Sequence, residues 1–220
     1  MRKIDHIIVT ATLRCLSGTR IGGSDDLLQI GGADLTCIKH PKTRVPYIPG
    51  TSLKGKLRSE LEKYHEKYSA NGQKPCDCAD CVICRVFGPH GNKPNSHGPT
   101  RILVRDAPAI GETVIETKAS TAIDRSTGKA LGGSLRQEER VAAGATFAVE
   151  IGLQVFDDDS EFEYQGKKGA HALFRVVRHG MRLVEQTGIG AGTSKGFGQI
   201  VFEDVKVERL KADDFRDEME

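Results

Sequence analysis

Hydrophobic and polar residues alternate along residues 4–16 and 147–155, which is the pattern of β-strands that bury one face. In the first segment, the face predicted to be buried carries Ile7, Val9, Ala11, Leu13 and Cys15. Shorter apolar segments at 101–107 and 199–207 predict two further strands. The pattern therefore predicts four strands spread over the whole chain.

Two other segments place apolar residues three or four positions apart, as on one face of an α-helix. The first, which Thr51 or Ser52 could cap, carries Leu53, Leu57, Leu61, Tyr64 and Tyr68. The second carries Ala170, Phe174, Val177, Met181 and Val184. The order of elements predicts an α+β fold of the ferredoxin-like (RRM-like) βαββαβ type, with both helices on one face of an antiparallel sheet. We expect residues 1–220 to form one such domain.

Two segments do not fit this core and are interpreted as insertions. Residues 70–99 combine a cluster of cysteines with a polar loop. Residues 111–140 are rich in Thr, Gly, Arg and Lys and show little periodicity, which indicates an extended excursion from the body of the domain.

Four of the six cysteines, Cys76, Cys78, Cys81 and Cys84, fall within nine residues. This density favours a structural zinc ion that holds together an insertion too small to fold alone. The close spacing predicts crowding around a single ion, so His65, His90 or His97 could replace one cysteine. An iron–sulfur cluster and free or oxidised thiols are the alternatives.

The glycine-rich segment 188–198, in which five of eleven residues are Gly, follows the second predicted helix. Its bare backbone N–H groups and Lys195 are typical of a loop that holds phosphates. The segment lacks the spacing of the Walker and Rossmann motifs, since Gly196 follows the lysine and the helix precedes the loop. A phosphodiester backbone therefore fits better than a nucleotide cofactor.

The formal net charge is only +2, but positive charge is concentrated locally. Residues 39–105 contain thirteen Lys and Arg against five Asp and Glu. Lys54, Lys56 and Arg58 lie in the first two turns of the predicted helix, where the helix dipole favours anions, so docked phosphates would explain them. Ordinary solvated faces are the alternative, both for this basic region and for the acidic residues 157–163.

The chain shows no secretory signal and no apolar stretch near the roughly 18 residues that a membrane span requires. Thiols grouped in one segment suit a metal in a reducing compartment better than a disulfide framework. We therefore expect a soluble, cytoplasmic protein without a membrane partner.

Two carboxylates are candidates for chemistry. Asp34 lies in a glycine-containing loop next to the basic region, where it could hold a divalent cation or accept a proton from a ribose 2′-OH. An Asx-turn that caps its own loop is the alternative. Asp106 ends a predicted strand, and we expect it to be a structural hydrogen-bond acceptor.

Six motifs together resemble the RAMP superfamily of CRISPR proteins, and within it the repeating backbone subunit of the type III-A (Csm) effector complex. In chain order they are residues 21–25 (IGGSD), 48–58 (IPGTSLKGKLR), 102–107 (ILVRDA), 121–125 (TAIDR), 136–141 (RQEERV) and the glycine-rich segment. The match extends from about residue 4 to 207.

This resemblance implies a subunit that stacks with further copies as a helical filament along a CRISPR guide RNA, within a complex that includes other Csm subunits. Residues 111–140 would form a thumb-like hairpin that enters the guide–target duplex. Asp34 would cut the target RNA with Mg²⁺ or another divalent cation. The residues implied in RNA binding are Arg20, Ser52, Lys54, Arg58, Arg125, Arg136, Arg140, Gly192, Lys195 and Gly196. Arg20 stands where relatives often carry His, which suits phosphate binding.

Two alternatives to this function remain. The chain could be a purely structural guide-binding subunit in which Asp34 takes no part in cleavage. It could also be a guide-processing endonuclease, although such enzymes tend to have two ferredoxin-like halves and to use His, Tyr or Lys.

Overall fold

The computed structural model describes residues 1–22, 35–68, 72, 74–91 and 93–211. Asp34 therefore lies outside the described residues. Ten strands and three α-helices are present in the described part. The strands are β1 (Lys3–Cys15), β2 (Tyr47–Ile48), β3 (Ile102–Val104), β4 (Ala107–Ile110), β5 (Ile115–Ser120), β6 (Arg136–Val141), β7 (Thr146–Phe156), β8 (Glu163–Tyr164), β9 (Lys167–Lys168) and β10 (Ile200–Lys211). The helices are α1 (Gly50–Tyr64), α2 (Val82–Phe87) and α3 (Gly169–Thr187).

One antiparallel sheet forms the core of the fold. Its strand order is β10-β1-β7-β4-β2, and β3 also pairs with β7. All five residues predicted to face inward on β1 are buried, which confirms the alternation read from the sequence. The predicted strand at 101–107 is divided into β3 and β4, because the regular pairing with β7 stops after Val104 and resumes at Ala109.

Helices α1 and α3 contact each other over the buried face of the sheet. Leu57 and Leu61 of α1 meet α3 at Gly180, where an added Cβ would lie 3.0 Å from Leu61 Cδ1. A side chain at position 180 would therefore require Leu57 and Leu61 to shift. Both predicted helices are confirmed, but Tyr64 is exposed at the end of α1 and Tyr68 lies beyond it.

The start of α1 differs from the prediction that Thr51 or Ser52 caps it. The helix begins at Gly50 after Pro49, and the cap residue makes no side-chain hydrogen bond to the helix. Instead, Asp106 Oδ1 accepts a hydrogen bond of 2.7 Å from the Gly50 N–H. The expectation of a structural role for Asp106 is confirmed, and an aspartate between β3 and β4 satisfies the free donor at the helix end.

The acidic segment after β7 is not simply a solvated face. Asp159 is fully buried and pairs with Arg101, which is also fully buried, at 3.0 Å. Arg85 of α2 approaches the same carboxylate at 2.7 Å. This network joins the cysteine insertion to the core.

Residues 111–140 contain a two-stranded antiparallel hairpin, β5–β6, with Ile115 opposite Val141 and Ser120 opposite Arg136. Beyond the two strands, Ile123, Leu131 and Leu135 are exposed. Among the described residues, no helix has the length and apolar character needed to cross a bilayer.

Candidate nucleic-acid interface and metal centre

The ends of segment 23–34 come together beside β6. Gly22 pairs with Cys37, and the Ile38 N–H donates to the Ile21 carbonyl at 2.9 Å. Leu35 in turn donates to the Gln137 carbonyl at 3.3 Å and accepts from the Glu139 N–H at 2.8 Å. The residue that directly follows Asp34 is therefore fixed alongside β6 of the hairpin.

The glycine-rich segment 188–198 packs against the chain that leaves β1. The Ala191 N–H donates to the Arg20 carbonyl at 2.8 Å, and the Gly198 N–H donates to the Gly18 carbonyl at 3.0 Å. A side chain at Gly190 or Gly198 would clash with the backbone carbonyl of Arg20 or of Ile189, respectively. These two glycines permit close contact within the protein, a role that the phosphate-loop interpretation did not include.

Gly192 and Gly196 have a different setting. Both have positive φ, +77° and +84°, and they bound a short 3₁₀ turn, Thr193–Lys195. An added Cβ at Gly196 would meet open space, and Lys195 is exposed. The surface of this turn is therefore free to meet a ligand.

Phe197 connects the glycine-rich segment to the hairpin. Its buried ring lies 4.6 Å from Lys118 Nζ and 4.9 Å from Arg140 Cζ, so two cations face one aromatic ring. Arg140 also pairs with Glu116 at 2.6 Å. Sequence reasoning missed Lys118 and Phe197, since only the contact between the hairpin and segment 188–198 brings them together.

Arg20 lies at the same place, half-buried, with its Nε 3.9 Å from Glu138 Oε2. That Nε is shielded from solvent and has no hydrogen-bond partner. Arg125 and Arg136, farther along the hairpin, are exposed and form no ion pair with any described residue.

The elements described above form one continuous region that we call the hairpin edge. It consists of residues 18–22, 35–38, the β5–β6 hairpin and segment 188–198.

The cations at the start of α1 have unequal surroundings. Lys54 has no ion pair among the described residues, and burial together with the Arg58 charge lowers its pKa. Lys56 pairs with Glu60 at 2.6 Å. Arg58 donates to Glu62 and to the Cys76 carbonyl, both at 2.7 Å, so its guanidinium already binds the cysteine insertion.

The four sulfur atoms of Cys76, Cys78, Cys81 and Cys84 all lie within 4.8 Å of one another. The Cys76–Cys78, Cys76–Cys81, Cys78–Cys84 and Cys76–Cys84 sulfur distances are 3.5, 3.7, 3.9 and 3.9 Å. Four thiolates about 2.3 Å from a tetrahedral ion would be about 3.8 Å apart. The predicted crowding is therefore wrong, because the turn lets all four cysteines converge.

Protein contacts support this cluster. Cys81 caps α2, with its sulfur 3.5 Å from the Cys84 N–H, and the Cys76 N–H donates to Glu62 at 2.9 Å. Burial raises the pKa of Cys76, Cys81 and Cys84 to about 11. Burial also disfavours the Cys78 thiolate, but hydrogen bonds from the Asp80 backbone and neighbouring thiols outweigh it and lower that pKa to about 7. The arrangement can hold one metal ion.

The histidines proposed as substitute ligands make other contacts. His65 Nε2 lies 2.9 Å from the Tyr164 hydroxyl, and His97 Nε2 lies 3.8 Å from Asp80. For His90, the backbone N–H donates to the Cys76 carbonyl at 2.9 Å. In the described part of the chain, the only grouping of His, Cys, Asp and Glu ligand atoms close enough to share an ion is the set of four cysteines.

Comparisons with known proteins agree with this picture. The RAMP superfamily matches residues 12–201. The CRISPR system Cms endoribonuclease Csm3 of Methanothermobacter thermautotrophicus is 36% identical, with 99% of this chain and 92% of the relative covered. The protein of the same name from Methanocaldococcus jannaschii is 35% identical over 91% of this chain and 80% of its own length. That from Streptococcus thermophilus is 36% identical over 90% and 87%.

A solved structure extends the likeness to the fold. A chain in the crystal structure of the Csm3-Csm4 subcomplex in the type III-A CRISPR-Cas interference complex aligns with a TM-score of 0.62. The alignment covers 97% of this chain and 83% of the other at 24% identity. The chain belongs to the RAMP superfamily and, within it, to the Csm3 family of CRISPR-system proteins.

Proposed function

We propose that this chain binds a CRISPR guide RNA as a repeating subunit of a type III-A effector complex and cleaves the target RNA paired with that guide. One observation carries the proposal. The hairpin, the glycine-rich segment and both ends of segment 23–34 meet at one edge, so RNA held there would lie beside the segment that contains Asp34. The names of the relatives, endoribonuclease Csm3, support the reaction class.

The hairpin edge supplies the groups that would grip the RNA backbone. At the exposed turn, phosphates would be contacted by Lys195 and by the N–H groups around Gly192 and Gly196. Arg20, which belongs to the same hairpin edge, would add a further phosphate contact. Lys118 and Arg140 face the Phe197 ring, and Arg125 and Arg136 extend the basic surface along the hairpin.

At the start of α1, Ser52 and Lys54 would add a further phosphate contact. The Lys54 ammonium has no protein partner among the described residues, so an anion would compensate its charge. Arg58 is already bound to Glu62 and Cys76, and we assign it to holding the cysteine insertion against α1 while it adds positive charge nearby.

The β5–β6 hairpin would act as a thumb. The side chains of Ile123, Leu131 and Leu135 are 48%, 49% and 63% exposed. Exposed apolar side chains on a basic projection can enter a base step and unstack it, as wedge residues do in other nucleic-acid complexes. The strand order around β1 and β7, with two helices on one face, supports a ferredoxin-like core from which this hairpin extends.

Cleavage would follow attack of a target 2′-OH on the adjacent phosphodiester, leaving a 2′,3′-cyclic phosphate and a 5′-OH. The thumb would free one nucleotide to reach in-line geometry, since positioning alone lowers such barriers by several kcal/mol. Asp34 would accept the 2′-OH proton or hold a divalent cation such as Mg²⁺, which would stabilise the phosphate charge.

The four cysteines would hold a structural zinc ion. The sulfur separations fit a tetrahedral ion, and the set provides four protein ligands, as closed structural sites do. The ion would fix an insertion whose other contacts to the core pass through Arg58, Glu62 and the Arg101–Asp159 network.

The test uses the reconstituted complex with a complementary target RNA and Mg²⁺. Asp34→Asn should reduce the cleavage rate by about 10²- to 10⁴-fold while target binding is retained, because the substitution removes the charge but not the shape of the side chain. Asp26→Asn, in the same segment but outside the 21–25 motif, is the matched control and should leave the regularly spaced cleavage products unchanged. Unchanged products with Asp34→Asn would eliminate Asp34 as the catalytic residue.

A further inference from the structure

A concave surface on α3 collects positive charge that the proposed function leaves unused. It has a volume of about 350 Å³ and lies against the N-terminal two thirds of the helix. Its cationic and titratable lining residues are Lys167, His171, Arg175, Arg178, His179 and Arg182. Neither Asp nor Glu lines it among the described residues. We call this surface the α3 groove.

Three arginines and His171 follow the geometry of the helix. Residues 171, 175, 178 and 182 are separated by four, three and four positions, so they form one stripe along one face of α3. With a rise of about 1.5 Å per residue, the stripe is about 16 Å long. It therefore presents a row of cations and not a single point charge.

These cations lack protein partners. Within the described ranges, Lys167, Arg175, Arg178 and Arg182 form neither an ion pair nor a side-chain hydrogen bond. Arg178 Nη1 is shielded from solvent and still has no acceptor. Burial and the Arg182 charge lower the pKa of His179, so the groove disfavours further positive charge. An anion that binds in the groove would compensate the positive charge of these unpaired cations.

We infer that the α3 groove binds the phosphodiester backbone of single-stranded RNA, as a contact surface additional to the hairpin edge. Three guanidinium groups in a row suit successive phosphates, because each fork can bind two phosphate oxygens. Phe174 and His171 also line the groove and offer flat faces for a base, a feature that an acidic peptide would not use. The choice of RNA as ligand rests on the proposed function.

The groove is a separate surface from the glycine-rich segment. Arg182 lies six residues before Gly188, which is about 9 Å along the helix axis, and the other cations lie farther away. RNA in the groove would therefore be a stretch that continues past the hairpin edge. Loss of one surface should leave the other intact.

The test measures binding of labelled oligouridine to the purified full-length chain over a range of salt concentrations. The double variant Arg175→Gln/Arg178→Gln should bind at least about tenfold more weakly, and the slope of log Kd against log salt should fall by about 1.4, or about 0.7 for each lost phosphate contact. Lys3→Gln/Lys42→Gln has the same change in net charge at exposed sites outside both surfaces and should bind like the parent chain.

Each other outcome decides the question. If the α3 variant binds oligouridine with unchanged affinity and slope while Lys195→Ala weakens binding, the groove inference is wrong and the proposed function stands. If neither variant changes binding, the groove inference and the phosphate role of Lys195 are both wrong. If the α3 variant instead loses binding of polyglutamate or loses self-association, with RNA binding unchanged, the groove is a protein-docking surface and the inference is overturned.

Discussion

The hairpin edge and the cysteine insertion both depend on arginines, but the surroundings of these arginines are opposite. Arg101, between the insertion and β3, is fully buried, and its guanidinium donates to Asp158, Asp159 and two backbone carbonyls. Arg136, on the hairpin, is exposed and has no ion pair within the described part of the chain. An arginine whose donors are paired within the protein stabilises the fold, whereas an arginine without an ion pair is available to a ligand.

The cysteines of the insertion and the glycines of the hairpin edge also have different structural roles. In the insertion, four thiols converge and the surrounding backbone is tied to α1 through Glu62 and Arg58. At the hairpin edge, the glycines at 190 and 198 allow close packing, and the turn at 192–196 stays open. The comparison predicts that changes in the insertion alter stability and that changes to the exposed cations of the hairpin edge alter RNA binding.

Metal removal should produce the largest difference between the two regions. A strong chelator should abolish exchange protection of the backbone amides in α2, because a structural zinc site contributes about 10 kcal/mol or more to the structure around it. Amides of β5 and β6 should keep their protection in the same hydrogen-exchange experiment. Zinc content far below one ion per chain, or equal loss of protection in both regions, would contradict the assignment.

Breaking the buried ion pair should have the next largest effect. Asp159→Ala leaves the Arg101 guanidinium buried with an incomplete set of partners, so we expect a loss of about 3–5 kcal/mol in the free energy of unfolding. Urea denaturation measures it. Glu161→Ala removes an exposed carboxylate two residues away and should change stability by less than about 0.5 kcal/mol. Equal effects of the two substitutions would show that the network is not structural.

Two glycines of the glycine-rich segment 188–198 allow a finer test. Gly198→Ala adds a methyl group against the Ile189 carbonyl at a positive φ of +72°, and it should cost about 3 kcal/mol from clash and backbone strain together. Gly196→Ala meets open space and should cost only the strain of positive φ, about 1–2 kcal/mol. Thermal unfolding of both variants checks the order. A larger effect at position 196 would contradict the packing role of Gly198.

The smallest effects separate the two cations at the start of α1. Lys54→Ala should leave stability nearly unchanged but lower the salt slope of guide-RNA binding by about 0.7, the value for one phosphate contact to a single strand. Arg58→Ala should instead cost about 1–3 kcal/mol of stability, since Glu62 and the Cys76 carbonyl lose a charged donor. The opposite result, a slope change only with Arg58→Ala, would return the phosphate contact to that arginine.

Much of the fold could be predicted from periodicity alone. The alternation in β1 and β7 and the spacing of the leucines in α1 report which side chains are buried, and burial is what the structure confirms. The cap of α1 could not be predicted, because Asp106, which accepts the hydrogen bond from the Gly50 N–H, is more than fifty residues away in the chain. The same holds for Asp159, whose place in an acidic run concealed its pairing with Arg101.

The candidate sites divide in the same way. The cysteine cluster was visible in the sequence because its ligands lie within nine residues of one another. Sequence reasoning proposed Lys195 and the hairpin arginines as RNA-binding residues, but not Lys118 or Phe197. Their role depends on a contact between the hairpin and segment 188–198.

The sequence by itself therefore determined the order of the elements, the residues that face the core, the four thiols and the family. These features are local or periodic, so neighbouring residues in the chain record them. Only the tertiary structure decided which cations are neutralised, which glycines serve packing and which charged surfaces stay open. Charge balance and close approach depend on partners that are distant in the chain, and the sheet brings those partners together.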